Sequence, residues 1–218
     1  MPKFGTSAYL KLISLNTKPQ RTELRKRLSP SDAPYDFHRS LRLHASRLLA
    51  KGESIESVLE SVGRITKLPE RTSVQAGLAT LLNWRASHPA KLFEVKSHIY
   101  TSPNDVFKLG FTADFGTVID GKRCAVHLWN TKKPPLSTRL TIGTLSLIKQ
   151  SYPEIDNLVV LSLLDSQLFW SVEDARYVAI GHNLALRIEE VILSVEEELR
   201  APAKDRRTPP TPPHPPAS

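Results

Sequence analysis

Residue types that hold cations and move protons lie close together between Phe107 and Pro135: a lone acid, Asp114, a histidine, His127, and a lysine pair, Lys132 and Lys133. A carboxylate and an imidazole are ligands for a dication. An amine beside them steadies negative charge that develops during reaction. Such groups act only if they converge. On an extended strand, residues 127 and 129 share one face, so His127 and Trp129 point the same way. A second histidine, His44, sits far upstream. It follows Leu41 by three residues and precedes Leu48 by four, which places it on the buried side of a helix, where a lone histidine is more often a hydrogen-bonded core residue than a ligand. The single cysteine, Cys124, can build neither a disulfide framework nor a thiolate cage, and no phosphate-binding or dinucleotide glycine pattern occurs.

The elements that must position these groups are legible from periodicity. Helical spacing runs over 34–51 (Leu41, Ala45, Leu48, Leu49), over a second stripe of Ile55, Val58, Leu59 and Val62, and after Pro69 over Val74, Leu78, Leu81 and Leu82. The texture then changes to Val, Ile, Phe, Tyr and Thr. Segments 92–101, 107–119 and 122–130 predict three successive antiparallel strands, the last two joined by Asp120-Gly121, a strong hairpin signal. A helix is predicted over 136–152. The apolar run 157–164 reads as a strand buried on both faces. A short strand over 168–172 and a final helix follow, with Leu184, Ile188, Val191, Ile192, Val195 and Leu199 inward and Glu189, Glu190 and Glu196 to Glu198 outward. The expected class is α/β, a mixed sheet flanked by helices with a helical N-terminal layer. Its parts are a basic segment over 1–33, a domain over 34–200 (helical layer 34–90, sheet core 91–200) and a Pro-rich disordered tail over 201–218.

The net charge of +8 is unevenly spread: residues 1–90 carry 15 − 7 = +8, residues 91–200 carry 12 − 14 = −2, and residues 201–218 carry 3 − 1 = +2. A basic excess of this kind fits a polyanionic partner or a solvated basic surface. The first 28 residues are basic and hydroxylated, with Glu23 the first acid, a composition shared by organellar presequences. Pro2 and Pro19 interrupt an amphipathic helix there, and Tyr9, Leu10, Leu12, Ile13 and Leu15 suit docking on the domain. The expected setting is intracellular, cytoplasmic or nucleoid-associated, with the mitochondrial matrix as the alternative. No apolar run approaches the roughly 18 residues of a membrane span.

The order helix, three strands, helix, strand, helix over 35–200, with Gly110 leading to Asp114 and then His127-Leu128-Trp129-Asn130-Thr131-Lys132, resembles the PD-(D/E)XK or restriction-endonuclease-like superfamily. Within it, the chain is similar to the RecB-like branch, which includes mitochondrial genome maintenance exonucleases. The resemblance implies a nuclease fold in which two carboxylates and a helix histidine hold Mg²⁺ or Mn²⁺ beside a lysine. Carried over, Asp114 takes the first carboxylate position, His44 the helix histidine, His127 the second carboxylate position and Trp129 the lysine position. Thr141 and Leu145 fall where the following helix faces the site. The interval from Gly110 to Asp114 is one residue longer than the family's.

One carboxylate is a poor site for a hard dication. Lys132 or Lys133 as the missing amine, Asp120 or Glu94 as a second acid, and His44 with His127 for a softer ion such as Mn²⁺ or Zn²⁺ are the replacements the sequence offers. Three functions follow. The first is a catalytically degenerate nuclease-like protein that binds nucleic acid, DNA favoured, through Arg39, Arg42, Arg47, Lys132 and Lys133, with no cofactor. The second is an active metal-dependent nuclease, with Asp114, His127 and Lys132 catalytic, His44, Asp114 and His127 on the metal, and Mg²⁺ or Mn²⁺ as cofactor. The third is a protein-interaction subunit that keeps the fold as scaffold.

Overall fold

The computed structural model describes residues 1–29 and 39–200. The boundary expected at residues 33–34, the first turn of the helix expected from residue 34, and the Pro-rich tail lie outside the described residues. The protein is α/β. In chain order its elements are β1 (Lys3–Gly5), α1 (Thr6–Ile13), α2 (Thr17–Leu28), α3 (Arg39–Leu49), α4 (Ile55–Gly63), α5 (Leu68–Ser87), β2 (His98–Thr101), β3 (Lys108–Phe111), β4 (Phe115–Ile119), β5 (Lys122–Trp129), α6 (Thr138–Gln150), β6 (Asn157–Ser162), β7 (Leu168–Trp170) and α7 (Ala175–Arg200).

Local chemistry sets several of these boundaries. Ser54 caps α4 by accepting the Ser57 N–H at 3.2 Å, and Pro69 sits in the first turn of α5, where its missing N–H is harmless. The β4–β5 turn places Asp120 and Gly121 at φ 51° and 76°, the paired positive values that a two-residue hairpin demands. No helix among the described residues is long and apolar enough to cross a membrane.

A four-stranded sheet, ordered β4-β5-β6-β7, forms the centre. β5 runs antiparallel to β4 and parallel to β6, in a register that pairs His127 with Val160 and Trp129 with Ser162. Side chains of β5 alternate between two cores, as pleating requires. Val126 and Leu128 join Leu41, Val58, Val74 and Leu78 of α3 to α5, whereas Ala125 and Trp129 join Tyr9, Phe111, Leu145 and Ile188 on the other face. Leu158, Val159, Val160 and Leu161 of β6 are buried on both sides, as their uninterrupted apolar run predicts.

Several expectations need correction. Residues 107–119 do not form one strand: the chain breaks at Thr112–Asp114, and β3 and β4 belong to different sheets. The break follows from hydrogen bonding, because the Asp114 N–H donates to the Val126 carbonyl at 2.8 Å and the His127 ring takes the Thr112 carbonyl. The segment 92–101 is strand only at its end, with Phe93 touching Gly116 through an isolated bridge. Helix α7 begins at Ala175, ahead of the apolar stripe that marks it. Ile55, Leu59 and Leu199, assigned to inward stripes, are 43%, 44% and 43% exposed. Glu189, assigned outward, is buried, where it accepts the Asn104 backbone N–H at 2.8 Å and the Asn104 amide at 2.7 Å. These bonds, with that of Ser102, outweigh the burial that would raise its carboxyl, which is held below the usual range.

The basic N-terminal stretch is part of the larger core. β1 adds a parallel edge to β3, the Thr6 hydroxyl donates to the Gly110 carbonyl at 3.1 Å, and Phe4, Tyr9, Leu10, Leu12, Ile13 and Leu24 are buried.

Candidate functional site

Three elements converge on His127. β5 carries the ring inward, the first turn of α1 brings Ser7, and α3 brings Arg42. The imidazole Nδ1 lies 2.9 Å from the Thr112 carbonyl oxygen, which can only accept, so Nδ1 carries the proton. Nε2 is therefore the lone-pair nitrogen. It receives the Ser7 hydroxyl at 2.8 Å and Arg42 Nη2 at 3.2 Å, and Arg42 Nη2 also donates to Ser7 Oγ at 2.6 Å. The ring is 2% exposed. Burial, with the Arg42 charge, pushes its pKa down to about 4 against the opposing pull of Asp114. It is neutral at physiological pH.

Asp114 sits at the break between β3 and β4. Its Oδ2 accepts the Leu128 N–H at 2.7 Å and lies 3.5 Å from His127 Nδ1, while its Oδ1 lies 3.8 Å from Arg42 Nε. The carboxylate thus holds the start of β4 against β5, with a guanidinium on its other side. Asp114 also borders a cleft of about 430 Å³, lined in addition by Phe93, Glu94 and Ala113. Glu94 is exposed there, and Asp120 belongs to the β4–β5 turn, at the opposite end of β5 from Trp129.

The structure brings Asp114 and His127 together and engages the other expected ligand, His44, elsewhere. His44 is buried in α3, where its Nδ1 lies 3.4 Å from Arg47 Nη1, and its pKa is lowered by burial and then by Arg47. Arg47 grips Glu53 through both carboxylate oxygens, at 2.6 to 3.0 Å. Among the described residues no group of three or more His, Cys, Asp or Glu side chains is placed to hold a metal ion. The donor set explains why. One carboxylate bonded to a backbone amide, one imidazole with both nitrogens engaged and one guanidinium do not fit Mg²⁺ or Mn²⁺, which require several oxygen ligands. Trp129, expected from the resemblance at a lysine position, is 1% exposed, and its indole N–H donates to the Thr131 carbonyl at 3.0 Å. Thr141 and Leu145 of α6 are fully buried, and the Thr141 hydroxyl has no hydrogen-bond partner.

Of the expected phosphate contacts, Arg39, Lys132 and Lys133 are exposed, whereas Arg42 and Arg47 are committed to the internal bonds above. The start of α3 and the segment after β5 meet over α5. A Cβ on Gly77 would lie 3.1 Å from Leu41 and 3.2 Å from the Asn130 amide, which donates to Ser73 Oγ at 3.0 Å. Arg39 and the two lysines therefore extend from adjoining segments. Sequence reasoning missed Ser7, which stands 120 residues from His127 with no motif around it. It also missed the Thr112 carbonyl, which no side-chain pattern reveals.

No family model matches this chain, and no curated protein matches it. A solved structure titled "Crystal structure of SSO0001" aligns over 81% of this chain and 84% of that one, with 12% sequence identity and a TM-score of 0.29.

Proposed function

We propose that this chain binds nucleic acid, DNA favoured, on a nuclease-like fold whose metal-dependent chemistry has been replaced. The observation that carries the reading is Arg42: its guanidinium flanks the Asp114–His127 pair, 3.8 Å from Asp114 Oδ1 and 3.2 Å from His127 Nε2, where the resemblance implies a divalent cation. A fixed cation neutralises the acid without activating water. Support for the fold comes from the antiparallel β4–β5 hairpin followed by α6 and a parallel β6, the order the resemblance implies. Support for binding comes from the exposed Arg39, Lys132 and Lys133 on segments that adjoin over α5, because phosphate contacts by such side chains release condensed counterions.

Anisotropy titrations of labelled single- and double-stranded DNA and of RNA across a salt series test this reading. Three phosphate contacts give a log K against log salt slope of about −2 to −3. The Lys132→Ala/Lys133→Ala double variant is expected to flatten that slope by about 1.5 to 2 without changing the thermal midpoint. Cleavage that needs Mg²⁺ or Mn²⁺, or failure to retain any oligonucleotide at low salt, overturns it.

A further inference from the structure

The bonds around His127 also satisfy the geometry of an activated nucleophile. Such a centre needs a hydroxyl on the lone pair of a base, and a second group that fixes the base through its other nitrogen. Ser7 Oγ is 2.8 Å from Nε2, and Nδ1 is fixed by the Thr112 carbonyl at 2.9 Å with the Asp114 carboxylate at 3.5 Å. The carbonyl selects the tautomer that leaves the Nε2 lone pair to accept, from the Ser7 hydroxyl and, at 3.2 Å, from Arg42 Nη2. Burial and the Arg42 charge disfavour the imidazolium formed when Nε2 takes the proton, and the Asp114 carboxylate partly offsets them. Ser7 is partly exposed, unlike the ring behind it. Its position in the first turn of α1 adds a further feature: Gly5 at the N-cap supplies no side chain, and that turn holds no acid. Arg42 lies 2.6 Å from the same oxygen. A cation there favours an alkoxide and an anionic electrophile.

We propose that Ser7 is a nucleophile for phosphoryl transfer, with His127 as its general base, Asp114 as a positioning residue, and a phosphate ester as the class of substrate. In the first step Ser7 Oγ bonds to phosphorus and the bond from phosphorus to the leaving oxygen breaks. The serine proton passes to His127 Nε2 and from there to the departing alkoxide. In the second step water gives a proton to His127 and attacks phosphorus, and the serine oxygen leaves with that proton. The balance needs only the ester and water, and neither Mg²⁺ nor Mn²⁺ takes part. A carboxylic ester carries no charge that calls for Arg42, which is why phosphate is preferred. The inference does not rest on nucleic-acid binding, and its test uses no oligonucleotide.

The full chain is incubated with an alkyl fluorophosphonate, and the adduct is located by intact-mass and peptide mass spectrometry. A single adduct on Ser7 is expected, absent from Ser7→Ala and formed about 100-fold more slowly in His127→Gln. No adduct on Ser7 in the wild-type protein, or equal rates with and without the imidazole, overturns the proposal. Faster turnover of p-nitrophenyl phosphate than of p-nitrophenyl acetate is expected, and the reverse preference overturns the phosphoryl assignment. Because His127→Gln removes a buried group and can fail to fold, Ser7→Cys gives a second measurement with the base in place. Its thiol is expected to react with iodoacetamide at pH 6 at least about tenfold faster than an ordinary thiol, as a thiolate held by a cationic neighbour does. The only natural cysteine, Cys124, stays silent, since it is buried and its thiol is pushed up to about 11. Alkylation that follows an ordinary thiol titration overturns the activation of Ser7.

Discussion

At the scale of single residues, His127 sets how the protein answers to acid. A histidine whose folded pKa lies below its unfolded value binds more protons when unfolded, so stability rises with pH between the two values and is lost as pH falls through that window. For His127 the window runs from the ordinary 6.5 down to about 4. Loss across it is on the order of 3 kcal/mol. His44 and His98 are lowered in the same direction by burial and add to the effect. The lowered acids Glu23 and Glu189 contribute only further down, as pH falls past their ordinary 4.5. Urea midpoints are expected to fall between pH 7 and pH 5, and the fall should shrink in His127→Gln, measured on the same buffers. Arg42 gives a second test. Arg42→Met removes donors from Ser7 Oγ and His127 Nε2 and should destabilise by about 1–2 kcal/mol, the worth of a charge-assisted bond at a partly exposed site. At this scale the sequence revealed residue types but not their partners. Asp114 and His127 were visible as chemistry-bearing groups, while Arg42 read as a phosphate contact and Ser7 drew no reading at all, because long-range hydrogen bonds leave no periodic trace.

Between elements, α6 and α7 approach closely at Gly143 and Gly181. A Cβ on Gly181 would fall 2.3 Å from the Gly143 carbonyl oxygen and 2.7 Å from Leu147 Cβ. Alanine normally improves a helix by about 1 kcal/mol over glycine, so the sign of Gly181→Ala is decided by whether the helices can part. They flank the same core, through Leu145 and Ile148 on one and Leu184 and Ile188 on the other, and parting them would open it. A net loss of about 1–3 kcal/mol is expected. Gly63→Ala is the control: nothing lies within 4 Å of its Cβ position, and a gain of about 0.5 kcal/mol is expected from the same helical preference. Denaturant midpoints of the two variants should move in opposite directions. Periodicity disclosed most of the helices, because an amphipathic face repeats every turn. It failed at residues 112–114, where Thr-Ala-Asp carries neither Gly nor Pro and the break is made by bonds to Val126, His127 and Leu128. It failed also at Ile55 and Leu59, since a stripe shows which face is apolar but not whether anything covers it.

Across the whole molecule, the basic excess of the N-terminal part is partly spent inside the fold. Arg21 and Arg25 of α2 both pair with Glu198 of α7, Lys11 and Arg27 pair with Glu23 at 3.3 and 2.9 Å, and Arg47 pairs with Glu53 at 2.6 Å. Counting charge along the chain showed the excess and could not show this pairing. Exposed pairs of this kind add little stability, so the hold of residues 1–28 on the domain comes mainly from burial, together with the pairing of β1 on β3. Phe4 and Tyr9 pack on Phe107, at 5.6 and 5.7 Å between ring centroids, and Leu10, Leu12 and Ile13 are buried with them. At about 1.5–3 kcal/mol for each such side chain, their loss is comparable with the entire stability of an ordinary domain, about 5–15 kcal/mol. Removing β1 also frees one edge of β3. Deletion of residues 1–15 is therefore expected to abolish cooperative unfolding and to yield aggregated protein. By contrast, Arg21→Gln/Arg25→Gln, which removes the pairs and keeps the burial, should shift the denaturant midpoint only slightly. A truncated chain that unfolds cooperatively with the wild-type midpoint would show that the segment is an appendage after all, and with it that Ser7 is not held at His127 by the core.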